Sequence, residues 1–172
     1  MTDPTKVKVA YLKGLCILQI EKLNNVVLDD PLFLEAPGGR EHHHNFRGGL
    51  LVHTFEVMRN VMEMTYGSPS SALVTAVIWH DYMKVRDYSF DKEGKVIDAP
   101  YRKMIGHVAG SAMKFHYAAS QLGMPESFID CVEHLLLSHH GRKEWGSPVE
   151  PATGEAFILH AADMMSSRGV NL

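Results

Sequence analysis

Several classes of protein are excluded by what this chain has little of. No apolar run approaches the roughly 20 residues that a membrane-spanning helix requires. There is no surplus of basic charge: 17 Lys and Arg stand against 20 Asp and Glu, a net charge of −3. A general positive field therefore cannot hold the chain to nucleic acid, and any phosphate-bearing ligand must be gripped locally. Only two cysteines occur, Cys16 and Cys131, both inside apolar helical patterns, so the expectation is two buried small hydrophobes rather than a disulfide or a metal pair. No internal repeat or low-complexity tract is visible. The opening stretch MTDPTKVKVAYLKGLCILQI is broken by Lys13, Gly14, Gln19 and Glu21 and lacks a small-residue cleavage site. It does not read as a leader, and the expected location is cytoplasmic. With 172 residues, 45% hydrophobic and 22% charged, the chain fits one domain over 1–172, large enough for a core without covalent staples.

What is abundant is histidine. Eleven are present, and they fall between His42 and His160. Ten methionines accompany them; Met58, Met62, Met104, Met113 and Met164 sit where helix packing would use them as adaptable core fillers.

Helix signals dominate. Asp3 as N-cap and Pro4 at the first position start a helix through Val7, Tyr11, Leu12, Leu15 and Leu18 that should fade near Asn24-Asn25. Residues 29 to 47 are rich in turn formers and read as an ordered loop. Gly48-Gly49 opens a helix that ends before Gly67. Ser68-Pro69 starts another, strongly apolar from Ala72 to Lys84, with His80-Asp81 near its end. The period then changes: Tyr88-Ser-Phe, the turn Asp91-Lys-Glu-Gly94 and Lys95-Val-Ile-Asp98 predict a small β-hairpin with Lys92 and Glu93 at a solvated tip. A helix from about Arg102 to Leu122 follows, then one from Pro125 to the Ser138-His139-His140-Gly141 run. After a loop from Arg142 to Ala152, Thr153 caps a last helix through Phe157, Ile158, Ala161 and Met164 or Met165. The fold class expected is all-α, a helical bundle with one hairpin insert.

In a bundle, histidines and carboxylates on separate helices can converge on one point, which is how such cores hold metals. His80 and Asp81, adjacent on a helix, reach a common ion only if it lies off the helix end. Lys84, four residues from His80 and three from Asp81, shares their face and can meet a ligand phosphate. A His-Asp dipeptide alone means little. Around it stand, in order, His43-His44-Asn-Phe-Arg-Gly-Gly-Leu-Leu-Val-His53, Trp79-His80-Asp81-Tyr82-Met83-Lys84, Gly106-His107-Val-Ala-Gly110, Leu137-Ser-His-His-Gly-Arg-Lys-Glu-Trp-Gly-Ser-Pro148, Pro151-Ala-Thr-Gly-Glu-Ala156 and His160-Ala-Ala-Asp163.

In this order the motifs resemble the HD superfamily of metal-dependent phosphohydrolases, and most closely the HD domain of the bacterial YhaM-type 3′→5′ exoribonucleases, over roughly residues 30 to 168. The resemblance implies an HD-domain bundle in which His53, His80, Asp81 and Asp163 ligate a first ion, Asp81 bridges, and His107, His139 and His140 complete a second site. Mixed imidazole and carboxylate ligands suit Mn²⁺, Fe²⁺, Co²⁺, Ni²⁺ or Zn²⁺ better than Mg²⁺ or Ca²⁺. The implied activity is phosphohydrolysis by metal-activated water, with Asp81 and Lys84 as catalytic candidates and Lys84, Arg47, Arg102 and Arg142 as cations for phosphate oxygens.

The implied partner is a nucleotide or a single-stranded nucleic acid 3′ end. The family's OB-fold domain precedes its HD domain, and the residues before 30 are too few to form one, so a small nucleotide stays open beside nucleic acid. A non-hydrolytic metal- and nucleotide-binding regulatory module is the alternative, and a homo-oligomer is left open. His43 and His44 could line the substrate pocket, orient a ligand or pack their loop. His160 is expected to support Asp163 rather than ligate. His42, His116 and His134 read as structural; His116 lies half a turn round the helix from His107, so the two cannot face one site.

Overall fold

The computed structural model of the chain describes residues 3–41 and 43–170, with the side chains at 18 and 19 excepted. His42 lies outside the described residues. Regular structure is helical apart from one two-stranded sheet, which bears out the all-α bundle with a hairpin. No helix among the described residues is long and apolar enough to cross a membrane.

Helix α1 (Pro4–Gly14) begins where the sequence predicts, with the Asp3 carboxylate accepting from the Thr5 N–H. It does not continue to Asn24. The chain turns after Gly14, Ile17 is extended, and α2 (Leu18–Leu28) sets off anew. This corner puts Leu12 and Leu23 into the same core and lets Lys13 pair with Asp29 at 2.5 Å. The expected loop after it contains a short helix, α3 (Pro31–Glu35), capped by Asp30 with Pro31 in the first turn. Five residues are too few to display a helical period.

The central element is α5 (Ser71–Trp79), in which every residue from 73 to 79 is buried. A helix apolar all round belongs inside, and α5 packs against α2, α4 (Gly49–Met64) and α9 (Glu126–Ser138). Its buried polar groups are matched. The Trp79 indole N–H donates to Asn24 Oδ1 at 3.1 Å, and the Asn24 amide reaches Thr75 Oγ1 at 3.3 Å. Ser70 rather than Ser68 caps α5, and the helix stops at Trp79 instead of reaching Lys84. His80 and Asp81 therefore stand in the turn beyond its C-terminus, ahead of the short α6 (Lys84–Asp87).

The hairpin forms as expected, β1 (Tyr88–Phe90) antiparallel to β2 (Val96–Asp98) with Tyr88 opposite Asp98. The Asp91 carboxylate accepts from the Glu93 and Lys95 N–H groups and closes the turn. The long helix expected after it is two, α7 (Pro100–Met104) and α8 (His107–Gln121), divided at Gly106, whose φ is +74°. That break puts His107 in the first turn of α8. Between α9 and α10 (Gly154–Ser167) a 3₁₀ turn covers Lys143–Trp145, and the Thr153 hydroxyl accepts from the Ala156 N–H. Helix α10 lies along α4.

Three core expectations are overturned. Met104 and Met113 are 79% and 63% exposed, and Cys131 is exposed too. Met113 is one residue out of phase with the buried stripe Val108, Ala112, Phe115 and Ala119, and Cys131 likewise precedes Val132 on α9. Met104 closes the five-residue α7, which buries none of its residues. Cys16 is half-buried in the α1–α2 corner, whereas Met58 is fully buried and Met62 packs on the core.

The loop before α4 is held so tightly that Gly49 has no room for a side chain: a Cβ there would run into the His44 carbonyl and the Gly38 N–H that bonds it. Gly49→Ala should lower stability by about 1–3 kcal/mol in urea denaturation, the usual range for overpacking. Gly14→Ala, where a Cβ meets nothing within 4 Å, should leave the midpoint equal or raised. Equal midpoints for the two variants would contradict the packing described.

Candidate metal centre

The turns that follow α5 and α9 repeat one device. His80, just past α5, and His139, just past α9, each direct Nδ1 back to the carbonyl three residues earlier, Val77 O at 2.8 Å and Leu136 O at 2.7 Å. A carbonyl only accepts, so each Nδ1 carries the proton and each Nε2 presents a lone pair forward. The bond also satisfies a carbonyl that the helix end leaves unpaired. Both helix C-termini, carrying partial negative charge, thus aim at the same space and favour a cation there.

The other imidazoles are fixed the same way. His107 Nδ1 donates to Asp87 Oδ2 at 2.7 Å, and the same oxygen takes the His107 backbone N–H at 3.2 Å. His140 Nδ1 donates to Trp145 O at 3.0 Å. His53 Nδ1 lies 2.9 Å from Ser166 Oγ, whose own proton goes to Glu56 Oε2 at 2.8 Å, so His53 is the donor. Each of the five therefore has Nε2 free to face its neighbours.

They face each other around Asp81. His53 and His80 bring Nε2 atoms to 3.2 Å, and His107 and His140 to 3.3 Å. Asp81 is 2% exposed. Its Oδ2 lies 3.2 Å from His53 Nε2 and 3.3 Å from His80 Nε2, while Oδ1 lies 3.3 Å from His107 Nε2 and 3.6 Å from His139 Nε2. Asp163 Oδ1 completes the first group, 3.1 Å from His53 Nε2. Two groups result, His53, His80, Asp81 and Asp163, and Asp81, His107, His139 and His140, each with its ligand atoms within 4.8 Å of one another. Lone pairs this close are relieved by a proton or a metal cation between them. Asp81 Oδ1 and His139 Nε2 are buried with no hydrogen-bond partner, and such orphans call for a ligand. The donor set fits divalent transition ions.

The electrostatics agree. Burial opposes charge on His53, but the Asp163 and Asp81 carboxylates override it and raise its pKa to about 9. Burial and the neighbouring His139 push His140 down to about 4, and burial also lowers His107 and His139. Burial would raise Asp81, yet Lys84 and His80 hold it well below the usual carboxylate range; His53 does the same for Asp163. Lys84 is kept charged by Asp81, 2.5 Å away, and by Asp163, and it also donates to Gly38 O at 2.8 Å.

Above these groups opens a cleft of about 520 Å³, lined by His43, His44, Lys84, Arg40, Arg102, Tyr88 and Trp145 among others. Arg47 and Arg142 do not line it: Arg47 pairs with Glu35 at 2.6 Å and Arg142 stacks on Trp145. His44 is tied through Nε2 to Glu56 Oε2 at 2.9 Å. His160 donates from Nδ1 to His139 O at 2.8 Å, and its ring fills the space that a side chain at Gly141 would occupy, where φ is +83°. His116 pairs with Glu133 and His134 accepts the Ala152 N–H, both away from the site. Sequence reading missed Glu56, Ser166 and Asp87. Each stands three residues after a named one, His53, Asp163 and Lys84, the spacing of one helix face.

Comparison with curated proteins adds an independent likeness. Over 142 residues, 79% of the chain, it is 33% identical to the 3′-5′ exoribonuclease YhaM of Shouchella clausii, covering 43% of that protein. The YhaM proteins of Listeria welshimeri and Bacillus pumilus are 32% and 30% identical over 144 and 145 residues, 78% and 79% of the chain and 44% of each relative. The chain spans less than half the length of these relatives. The resemblance to the YhaM type drawn from the motifs is borne out. No family model and no solved structure matches.

Because the pKa of His53 stands near 9 in the metal-free protein, above the value of about 6.5 for an unfolded histidine, its stabilisation is complete below about 6.5 and disappears as pH rises through about 9. Urea unfolding in chelator should show that decline, and His53→Gln should abolish it. A flat profile in the unmutated protein from about 6.5 to 9 would refute the assigned environment.

Proposed function

We propose that the chain is a metal-dependent phosphohydrolase that cleaves phosphodiester or phosphate-ester bonds at nucleic acid 3′ ends or in nucleotides. The observation that carries this reading is the division of Asp81, one carboxylate oxygen turned to each His/Asp group. The name shared by the relatives, 3′-5′ exoribonuclease, supports the same chemistry.

Phosphate esters resist hydrolysis because the anionic phosphorus centre repels nucleophiles and neutral water is a weak one. Divalent ions, when bound, acidify water and offset phosphoryl charge. His53, His80, Asp81 and Asp163 would hold one ion, and Asp81, His107, His139 and His140 a second. The chain's own residues do the rest. Lys84, charged and at the cleft floor, offers its ammonium to a phosphoryl oxygen. Asp87, Trp145 O, Val77 O, Leu136 O and Ser166 keep five imidazoles in the tautomer that ligation requires, the supporting role that outer partners have in metal sites. The cleft, within the usual range for small-ligand sites, has room for a nucleotide.

Elemental analysis after gel filtration should find Asp81→Ala stripped of both ions, while His140→Ala keeps the ion of the His53 group. Asp81→Ala retaining the unmutated metal content would sink the assignment. Supplied with Mn²⁺, the unmutated chain should degrade labelled single-stranded oligonucleotides or members of a nucleotide panel. Asp81→Asn should be slower by on the order of a thousandfold, since such ions contribute several kcal/mol to the transition state. Inertness towards every substrate in both sets would refute hydrolysis.

A further inference from the structure

The hairpin is the one non-helical element among the described residues, and its residues are built into the cleft. Tyr88 and Asp98 face each other across its two strands. Asp98 Oδ2 accepts from Arg40 Nη1 at 3.0 Å and Oδ1 from Arg102 Nη1 at 3.0 Å. The Tyr88 hydroxyl accepts from Arg102 Nη1 at 2.6 Å, and the Arg102 guanidinium lies over the Tyr88 ring. One carboxylate thus holds two guanidiniums side by side. Arg40 comes from the loop after Gly38-Gly39 and Arg102 from α7, and Asp98 of the hairpin joins them.

Both arginines line the same cleft as Lys84, His53, His107, His140 and Asp163. They stay open to a ligand, with side chains 46% and 40% exposed. Arg102 has Nε and Nη2 uncommitted among the described residues, since both its bonds use Nη1. Arg40 also pairs with Glu41 at 2.9 Å, but that carboxylate is 64% exposed, and pairs of this kind are weak enough for a phosphate to displace. Two guanidiniums fixed together match the geometry of a phosphate group, which takes paired N–H donors. Tyr88, bonded to Arg102, lines the cleft together with Lys84 and both arginines. The two cationic places are held by different carboxylates, Lys84 by Asp81 and the arginine pair by Asp98, and both line one cleft.

We propose that Arg40 and Arg102, aligned by Asp98 and Tyr88, form a subsite for a second phosphate, one nucleoside along the chain from the phosphate held over the His/Asp groups. The inference rests on the hydrolytic reading above and sharpens it: the preferred ligand is a nucleotide chain carrying at least two phosphates separated by a nucleoside, not a lone phosphate ester or a diphosphate.

The test is equilibrium binding by calorimetry to the full, Mn²⁺-loaded chain at constant ionic strength, with thymidine 3′,5′-bisphosphate, thymidine 5′-monophosphate and thymidine 5′-diphosphate as probes. The bisphosphate should bind about tenfold more tightly than either of the others, as a charge-assisted pair of bonds would give. Arg40→Ala and Arg102→Ala should each remove most of that preference, and Arg102→Lys, which keeps the charge without the fork, should keep part of it. Circular dichroism confirms that each variant is folded, and the lysine variant serves if the alanine variant is not. Equal binding of the three probes by the unmutated chain would overturn the proposal, as would a diphosphate bound as tightly as the bisphosphate or a preference that survives both alanine variants. Binding is measured apart from turnover. A bisphosphate preference without cleavage of any diester would uphold the subsite and refute hydrolysis, and cleavage without preference would do the reverse.

Discussion

Everything at the heart of this molecule depends on the crowding of unshared electron pairs around Asp81. Five imidazoles give their Nδ1 protons to fixed acceptors, and their Nε2 atoms are left facing one another and one buried carboxylate. Without a cation this arrangement is costly, because buried acceptors with no donor forfeit their solvation. In the metal-free protein a proton relieves part of it, which is why His53 holds one up to about pH 9 while His140 gives its own up near 4. A divalent ion relieves far more. Metal affinity and proton release should be coupled for that reason.

The fold meets this constraint by interrupting helices. Helix α5 ends at Trp79 so that His80 and Asp81 project beyond it, α9 ends at Ser138 so that His139 does the same, and Gly106 breaks α7 from α8 so that His107 opens the latter. Beneath the site, the buried α5 and the Asn24, Thr75 and Trp79 hydrogen bonds hold the central helix in place. Above it, the hairpin and the loop at Gly38-Gly39 form the cleft's cationic wall.

The broad plan was legible because it is written in local signals: Asp3-Pro4, Thr153 and the Asp91–Gly94 turn each act within a few residues, and all three form as read. The ordered histidines and aspartates pointed to the two groups now seen together. Helix breaks were harder to read. Apolar residues continue on either side of both breaks, which fall at single glycines, Gly14 and Gly106, and a lone glycine can also sit inside a helix. Long-range choices were out of reach of local signals altogether. Nothing local tells that Arg47 pairs with Glu35 outside the cleft while Arg40, seven residues earlier, lines it. Met113 has the chemistry of a core residue, whereas its phase on α8 puts it in water.

Electron paramagnetic resonance of the Mn²⁺-loaded chain tests the shared carboxylate most directly. Two ions joined through Asp81 should give the multiline spectrum of a coupled manganese pair, collapsing to the six lines of an isolated ion in His140→Ala. A six-line spectrum from the unmutated chain at full metal loading would contradict the account.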